Sequence, residues 1–432
     1  MPQLTTTLPS LISFDLYSYF GHVPIVLKVK HDNLVYMENN RIPLWFSHSE
    51  NTHAIAADIM RNSPVSRSQL ARKHKLSQGT LSKITSELLY DGIIEESDAA
   101  ASPGSAEMRT GDAGRGRPQT ALQIAAKSRT YIGVNIHTYE CIMAVTDAMC
   151  SAICEPLIIH YADNRPENLT ALISQGIGQL SQAAAERGFP QPSAAGVTIG
   201  GHILNDNTVT FAPFLQWNKN VDFGNMVQEA AHMPAAVFND LDSLLAYESW
   251  FGAGRSSRRF ALLTVGLGIG YALCDGGEPV DYPDKSYGMA GHVPVDPDGP
   301  VCYAGHKGCS QCLTSPSIAM EYSQLIGHAS TFEDFARNAE SGKPIARYLV
   351  ERTCYRLGVL IATVANMAMP EKILIGGESA YLAESALESI RTGAGRYRHS
   401  RAQQVQFEIL KYGWERWALG GAARVIAMSV KG

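Results

Sequence analysis

The spacing of apolar residues changes character once along this chain, at Ala121, and that change limits the architectures open to it. Before it lie three short helical patterns. In the first, Ala54, Ile55, Ile59 and Met60 recur at helical spacing, and the pattern stops at Asn62-Ser63-Pro64. Ser66 caps a second helix, Arg67–His74, which buries Leu70 and Ala71. A tight turn at Leu76-Ser77-Gln78 leads to a third, Gly79–Asp91, with Leu81, Ile84, Leu88 and Leu89 facing inward. Gly92 ends it and Ile93-Ile94-Glu95 begins a strand. Three helices, the last two joined by a short turn and followed by a strand, predict a winged helix-turn-helix over residues 49–98.

After Ala121 strands, helices and glycine turns alternate. Tyr131–His137 and Glu140–Asp147 read as strands, Leu169–Arg187 as an amphipathic helix, and Ala195–Gly201 as another strand. A second half repeats the theme. Ala236–Asp240 is a strand end, Arg259–Val265 runs into Gly266-Leu-Gly-Ile-Gly270, and Tyr271–Asp275 continues as a strand. Lys372–Gly377 is a buried strand into a turn, and Leu419-Gly-Gly-Ala-Ala423 opens the last helix. This predicts an α/β domain over residues 125–432, with a ligand cleft between two lobes. Residues 99–124, rich in Ala, Ser, Gly and Asp and holding Gly114-Arg-Gly-Arg-Pro118, fit a wing and linker. Residues 1–48 form an N-terminal extension with no assigned role.

The net charge of −5 over 432 residues argues against a chain that coats nucleic acid or anionic membrane along its length. Basic residues are nevertheless concentrated. Arg61, Arg67, Arg72, Lys73, Lys75 and Lys83 fall between Arg61 and Ser86 with no acidic residue among them. Arg67 and the outward residues of the third helix, Gln78, Thr80, Ser82, Lys83 and Ser86, are candidates for contacts to double-stranded DNA. Arg115 and Arg117 make a slim, doubly positive element suited to a minor groove, and equally a flexible linker with two solvated side chains. No apolar run reaches the roughly 20 residues of a membrane span, and the start lacks a basic-then-apolar signal. The eight Cys are scattered or clustered rather than spaced as a disulfide framework, so a reducing cytoplasm is expected.

The stretch Gly291–Cys312, GHVPVDPDGPVCYAGHKGCSQC, carries three of those Cys within eleven residues, and His292 just upstream. Imidazole and thiolate donors gathered on one loop are what a structural Zn²⁺ takes. The Cys-x-x-Cys spacing makes His292, Cys302, Cys309 and Cys312 the expected ligands, with His306 the substitute should Cys312 point away.

With these motifs in order, the chain from about residue 50 onward resembles the ROK family (repressor, open reading frame, kinase), in its transcriptional-repressor branch. The resemblance is carried by the helix-turn-helix, the Gly-Arg-Pro linker, Phe238-Asn239-Asp240 with Glu248, Gly266-Leu-Gly-Ile-Gly270, the Gly291-His292 loop and Ile375-Gly-Gly377. It implies a two-lobed, actin-like and hexokinase-like α/β clamp that forms a homodimer or homotetramer. It also implies a small carbohydrate-like effector near Gly201, Asn239, Asp240, Met289, His292 and Gln311.

The departures from the family bear on activity. ROK sugar kinases carry Asp-x-Gly-Gly-Thr on the first strand hairpin, where backbone cradles ATP phosphates; here the same place is Asn135-Ile-His137-Thr138-Tyr139. Side chains then stand in the phosphate path and the Mg²⁺-organising acid is gone. Two family glutamates are replaced by Met289 and Gln311, an Asn by Phe214, and the middle Cys of the metal loop by Ala304. The resemblance thus implies a cytoplasmic repressor of carbohydrate-related genes with no kinase activity. The alternatives are a carbohydrate kinase with an appended DNA-binding domain, or a regulator controlled by a protein partner without a small effector.

Overall fold

The computed structural model of the protein describes residues 42–47, 49–97, 120–281, 284–411 and 413–431. Arg115, Arg117 and nearly all of the N-terminal extension lie outside them. The first elements are α1 (Glu50–Asn62), β1 (Val65–Ser66), α2 (Arg67–His74), α3 (Gln78–Tyr90), β2 (Ile94–Ser97) and β3 (Ala121–Ile124). The start of α2 is a reciprocal capping box: the Ser66 hydroxyl accepts the Gln69 amide and Gln69 Oε1 accepts the Ser66 amide at 2.8 Å. Lys75, in the left-handed region at φ 53°, ends α2, and the Ser77 hydroxyl caps α3 through the Thr80 amide at 3.1 Å. Strands β2 and β3 pair antiparallel, with β1 on the far side of β3. That completes the wing. Ile55, Ile59, Leu70, Leu81 and Leu88 form its core with no exposed surface.

The first lobe follows: β4 (Thr130–His137), β5 (Glu140–Asp147), β6 (Leu157–His160), α4 (Pro166–Glu186), β7 (Ala195–Ile199), β8 (His202–Leu204), β9 (Thr208–Phe211), α5 (Phe223–Ala231), β10 (Ala235–Asn239) and α6 (Asp240–Trp250). The second contains β11 (Arg259–Val265), β12 (Ile269–Asp275), β13 (Glu278–Pro279), α7 (Ser315–Ile326), α8 (Phe332–Glu340), α9 (Pro344–Ala368), β14 (Lys372–Gly376), α10 (Leu387–Arg396) and β15 (Phe407–Ile409), and α11 (Glu415–Lys431) closes the chain. The two five-stranded sheets share one topology. Their orders are β10-β7-β4-β5-β6 and β13-β12-β11-β14-β15. In each, the first strand of the half lies at the centre, an antiparallel meander runs to one edge, and two later parallel strands run to the other. Two copies of one α/β plan facing each other form the clamp that the resemblance implies. Among the described residues no helix is long and apolar enough to cross a membrane.

Helix α11 crosses back from the second half onto the first sheet. It packs so closely that a Cβ on Gly133 would collide with the Ala418 carbonyl, and one on Gly196 with the Gly421 carbonyl. Only glycine permits that approach. The other end of α11 completes the core of the helix-turn-helix. The Trp45 amide donates to the Ser429 carbonyl at 3.0 Å, His53 Nδ1 lies 2.8 Å from the Val430 carbonyl, and Trp45 Nε1 donates to the Tyr131 hydroxyl. Ile42, Trp45 and Phe46 are buried in this one cluster with Ile55, Ile59, Val425, Ile426 and Val430. Ile42, Trp45 and Phe46 therefore belong to this core, although they lie in the span set apart as an extension.

Candidate functional site

Between the lobes lies a cavity of about 420 Å³. The first lobe supplies the β4–β5 turn with His137 and Thr138, Gly200-Gly201, Phe214, and the Asn239-Asp240 start of α6. The second supplies the 266–270 turn, Met289, Gln311 and Glu378, with Trp414 and Trp417 at the start of α11. Of the six expected effector residues, Gly201, Asn239, Asp240, Met289 and Gln311 line the wall. His292 does not. Its Nε2 lies 3.1 Å from the Tyr303 hydroxyl, and it is Tyr303 that lines the cavity.

Asn239 caps α6, accepting the Asp242 amide at 3.1 Å and donating to the Gly201 carbonyl at 2.8 Å. Asp240 follows, with Oδ1 accepting the Leu241 amide at 2.7 Å. Burial pushes the Asp240 carboxyl up to about 6; the Leu241 amide opposes the rise, while Asp242 and Glu378 add to it. Ionised Asp240 thus works against folding as pH climbs from the ordinary 3.8 through about 6. Asp240→Asn should stabilise the free protein by up to ~3 kcal/mol above pH 6, with the gain shrinking toward pH 4. Urea unfolding at pH 7.5 and pH 4.5 reads this; an equal gain at both pH values contradicts it.

His137 and Trp414 also line the cavity. The His137 and Trp414 ring centroids lie 4.0 Å apart, and burial depresses the His137 pKa against the opposing charge of Glu140. Asn135 is buried and donates to Thr198 Oγ1 at 2.9 Å, so it belongs to the sheet rather than the cavity. Glu378, which the sequence did not single out, follows Gly377 at φ 96° and comes back to accept the Leu267 amide. Burial raises the pKa of that carboxylate.

The loop brings four possible donors together, and His306 rather than Cys312 is grouped with the other three. His292, Cys302, His306 and Cys309 place one ligand atom each within 4.8 Å of one another. From His292 Nδ1 the distances are 3.8 Å to Cys302 Sγ, 4.0 Å to Cys309 Sγ and 3.1 Å to His306 Nδ1. A tetrahedral zinc separates N from S by ~3.6 Å and N from N by ~3.3 Å, given its bond lengths. Two thiols and two imidazoles in this arrangement fit that ion. The short helical turn 310–313 carries Cys312 into the apolar core of the second lobe, where it is 3% exposed and burial pushes its thiol up to about 12. The loop is also held from behind. Asp296 Oδ2 lies 2.8 Å from Arg356 Nε and 3.2 Å from Arg352, and both arginines also pair with Glu321, at 2.7 Å and 3.1 Å.

On α3, the buried residues Leu81, Ile84, Thr85 and Leu88 leave Gln78, Ser82 and Ser86 on the opposite, exposed stripe, with Lys83 beside them. Thr80 is exposed but engaged with the Ser77 hydroxyl at 2.9 Å. Arg67 is diverted from this face: it bonds Thr85 Oγ1 at 3.3 Å and Glu96 at 3.2 Å. Lys73 pairs with the buried Asp58 at 2.6 Å. Local charge in the sequence overstated the number of free cations here, because their acidic partners lie in other elements.

The model of the ROK family matches residues 131–427. The DNA-binding transcriptional repressor Mlc of Escherichia coli (strain K12) is 24% identical over 341 residues, 76% of this chain and 80% of that protein. The xylose repressor of Bacillus subtilis (strain 168) is 21% identical over 329 residues, 75% of this chain and 81% of that protein. In fold the chain is similar to a crystal structure of a ROK family transcriptional regulator, a homologue of the E. coli MLC protein. The TM-score is 0.71 at 22% identity, over 91% of this chain and 97% of that one. It is also similar to a ROK family glucokinase from Streptomyces griseus bound to glucose and AMPPNP, with a TM-score of 0.57 at 21% identity, over 68% of this chain and 98% of the kinase.

Proposed function

This chain belongs to the ROK family, and on that premise we propose that it is a cytoplasmic transcriptional repressor of carbohydrate-related genes, controlled by a small sugar-like effector and without kinase activity. The observation that carries the reading is the exposed stripe Gln78, Ser82, Ser86 with Lys83 on the second helix of a capped helix-turn-helix. Residues 49–98 are the DNA reader, 99–124 the wing and linker, and 125–432 the sensing and oligomerising module. Arg115 and Arg117 add minor-groove contacts. Because one recognition helix covers one half-site, the active form is a homodimer or homotetramer on a two-fold operator. Relatives named as repressors support the reading.

The reading without kinase activity is supported by the Glu378 carboxylate on the Leu267 amide and by the His137–Trp414 pair, since phosphoryl transfer needs tightly positioned phosphates. Asp240 keeps a role as acceptor for an effector hydroxyl. Zn²⁺ in the loop is structural, held by His292, Cys302, His306 and Cys309, with Tyr303 linking His292 to the effector cavity.

Genome-wide mapping of bound sites, followed by footprinting, tests the function. Lys83→Ala should weaken operator binding about 5- to 50-fold, from the loss of one DNA contact, with the fold unchanged. ADP release from Mg-ATP with any sugar of a broad panel contradicts the reading. For the metal, His306→Ala should cut zinc affinity at least tenfold in a chelator competition, while Cys312→Ser keeps one zinc per chain. The reverse pattern restores Cys312 as the ligand.

A further inference from the structure

Two neighbouring spaces, one that a sugar kinase gives to sugar and one that it gives to phosphates, form a single cavity here. Asn239, Asp240 and Gln311 line it together with His137, Leu267 and Trp414. At the roughly 30 Å³ a water occupies in the liquid, about 420 Å³ has room for about 14 waters, more than one pyranose ring displaces. Charge narrows the occupant further. Two carboxylates, Asp240 and Glu378, face a single lysine among the described lining residues. That lysine, Lys285, is held by Asp242 and Asp281 at 2.7 Å each. Among the described lining residues no cation is left free for a phosphate ester, and a dianion beside two carboxylates would be desolvated without compensation.

Part of the wall is aromatic instead. Trp414 and Trp417 have ring centroids 5.7 Å apart, and His137 sits against Trp414. An aromatic wall suits the apolar C–H face of a sugar ring or a planar aglycone. Resting on the reading of this cleft as an effector site, we infer that the effector is an uncharged glycoside of two ring units. Its hydroxylated ring bonds Asp240, and its second ring lies against Trp414 in the space closed to phosphates.

Titration calorimetry on the full-length protein tests this with glucose, xylose and N-acetylglucosamine as one-ring probes. Their 6-phosphates where they exist, cellobiose, xylobiose, chitobiose and the 4-nitrophenyl glycosides complete the panel. At least one two-ring probe should bind tenfold or more tighter than its one-ring parent, and each 6-phosphate more weakly than its parent. Trp414→Leu should erase that tenfold difference and leave the parent's affinity in place. Because Trp414 also packs against Trp417, Leu267→Trp is the companion variant; it fills the same cavity from a residue 43% exposed on the turn. A one-ring sugar or its phosphate as the tightest ligand overturns the inference and leaves the repressor reading standing. So does two-ring affinity unchanged in both variants. If no probe binds while operator DNA still does, the sugar effector falls together with this inference and the DNA reading survives.

Discussion

Replacing Arg356 by Ala should cost ~3–5 kcal/mol of unfolding free energy, read by denaturant unfolding at pH 7.5. The guanidinium has no exposed surface and lies between Glu321, at 2.7 Å, and Asp296, at 2.8 Å. Burial works against its charge, but the bonds to Glu321 and Asp296 outweigh that and hold its pKa above the ordinary value. Removing it leaves two largely buried carboxylates facing each other, with only the more exposed Arg352 between them. Arg352→Ala, at 29% side-chain exposure, should cost about 1 kcal/mol. Replacing Arg356, Glu321 and Asp296 together by apolar residues of similar volume should cost far less than Arg356→Ala alone. A loss below 1 kcal/mol for Arg356→Ala means that the three charges do not form a buried unit. Asp296 stands on the metal loop, so zinc affinity should fall with Arg356→Ala as well.

Gly196→Ala is the second large effect. One methyl group there meets the carbonyl of Gly421, and neither a central strand nor the helix on it can move alone. Overpacking of backbone against backbone should cost ~3 kcal/mol or more and lower Tm by roughly 5 °C or more. Gly178→Ala in α4 is the control. Nothing lies within 4 Å of a Cβ at that position, and a helix-interior alanine should stabilise by ~0.5–1 kcal/mol. Equal melting temperatures for the two variants remove the argument for close helix–sheet contact.

What the sequence disclosed tracks how local each signal is. The bounds of α2 are legible because Ser66, Gln69 and Lys75 set them within the segment itself. Strands β4 and β5 are legible as alternating and continuous apolar runs joined by a tight turn. β3 hides in the linker, since four residues acquire strand character only by pairing with β1 and β2. Cys312 misled for a related reason: Cys-x-x-Cys spacing favours chelation, but the turn after Cys309 commits the second thiol to the core. Glu378 carried no motif at all. Its role depends on Gly377 and on an amide 111 positions away. Gly201, Asn239 and Asp240, which line the cavity, were named through the family resemblance, and Trp414 was missed because no motif marks the start of α11.

The position of α11 has a consequence for how this protein is made. His53 and the Val430 carbonyl are bonded across 377 positions. At ~5–20 residues per second, a ribosome needs roughly 20–75 s to deliver the second after the first. Until then Trp45, Phe46 and Ile55 lack the residues that cover them, and the nascent helix-turn-helix is an open core. By the time it closes, both sheets have emerged and the cavity between them has its walls.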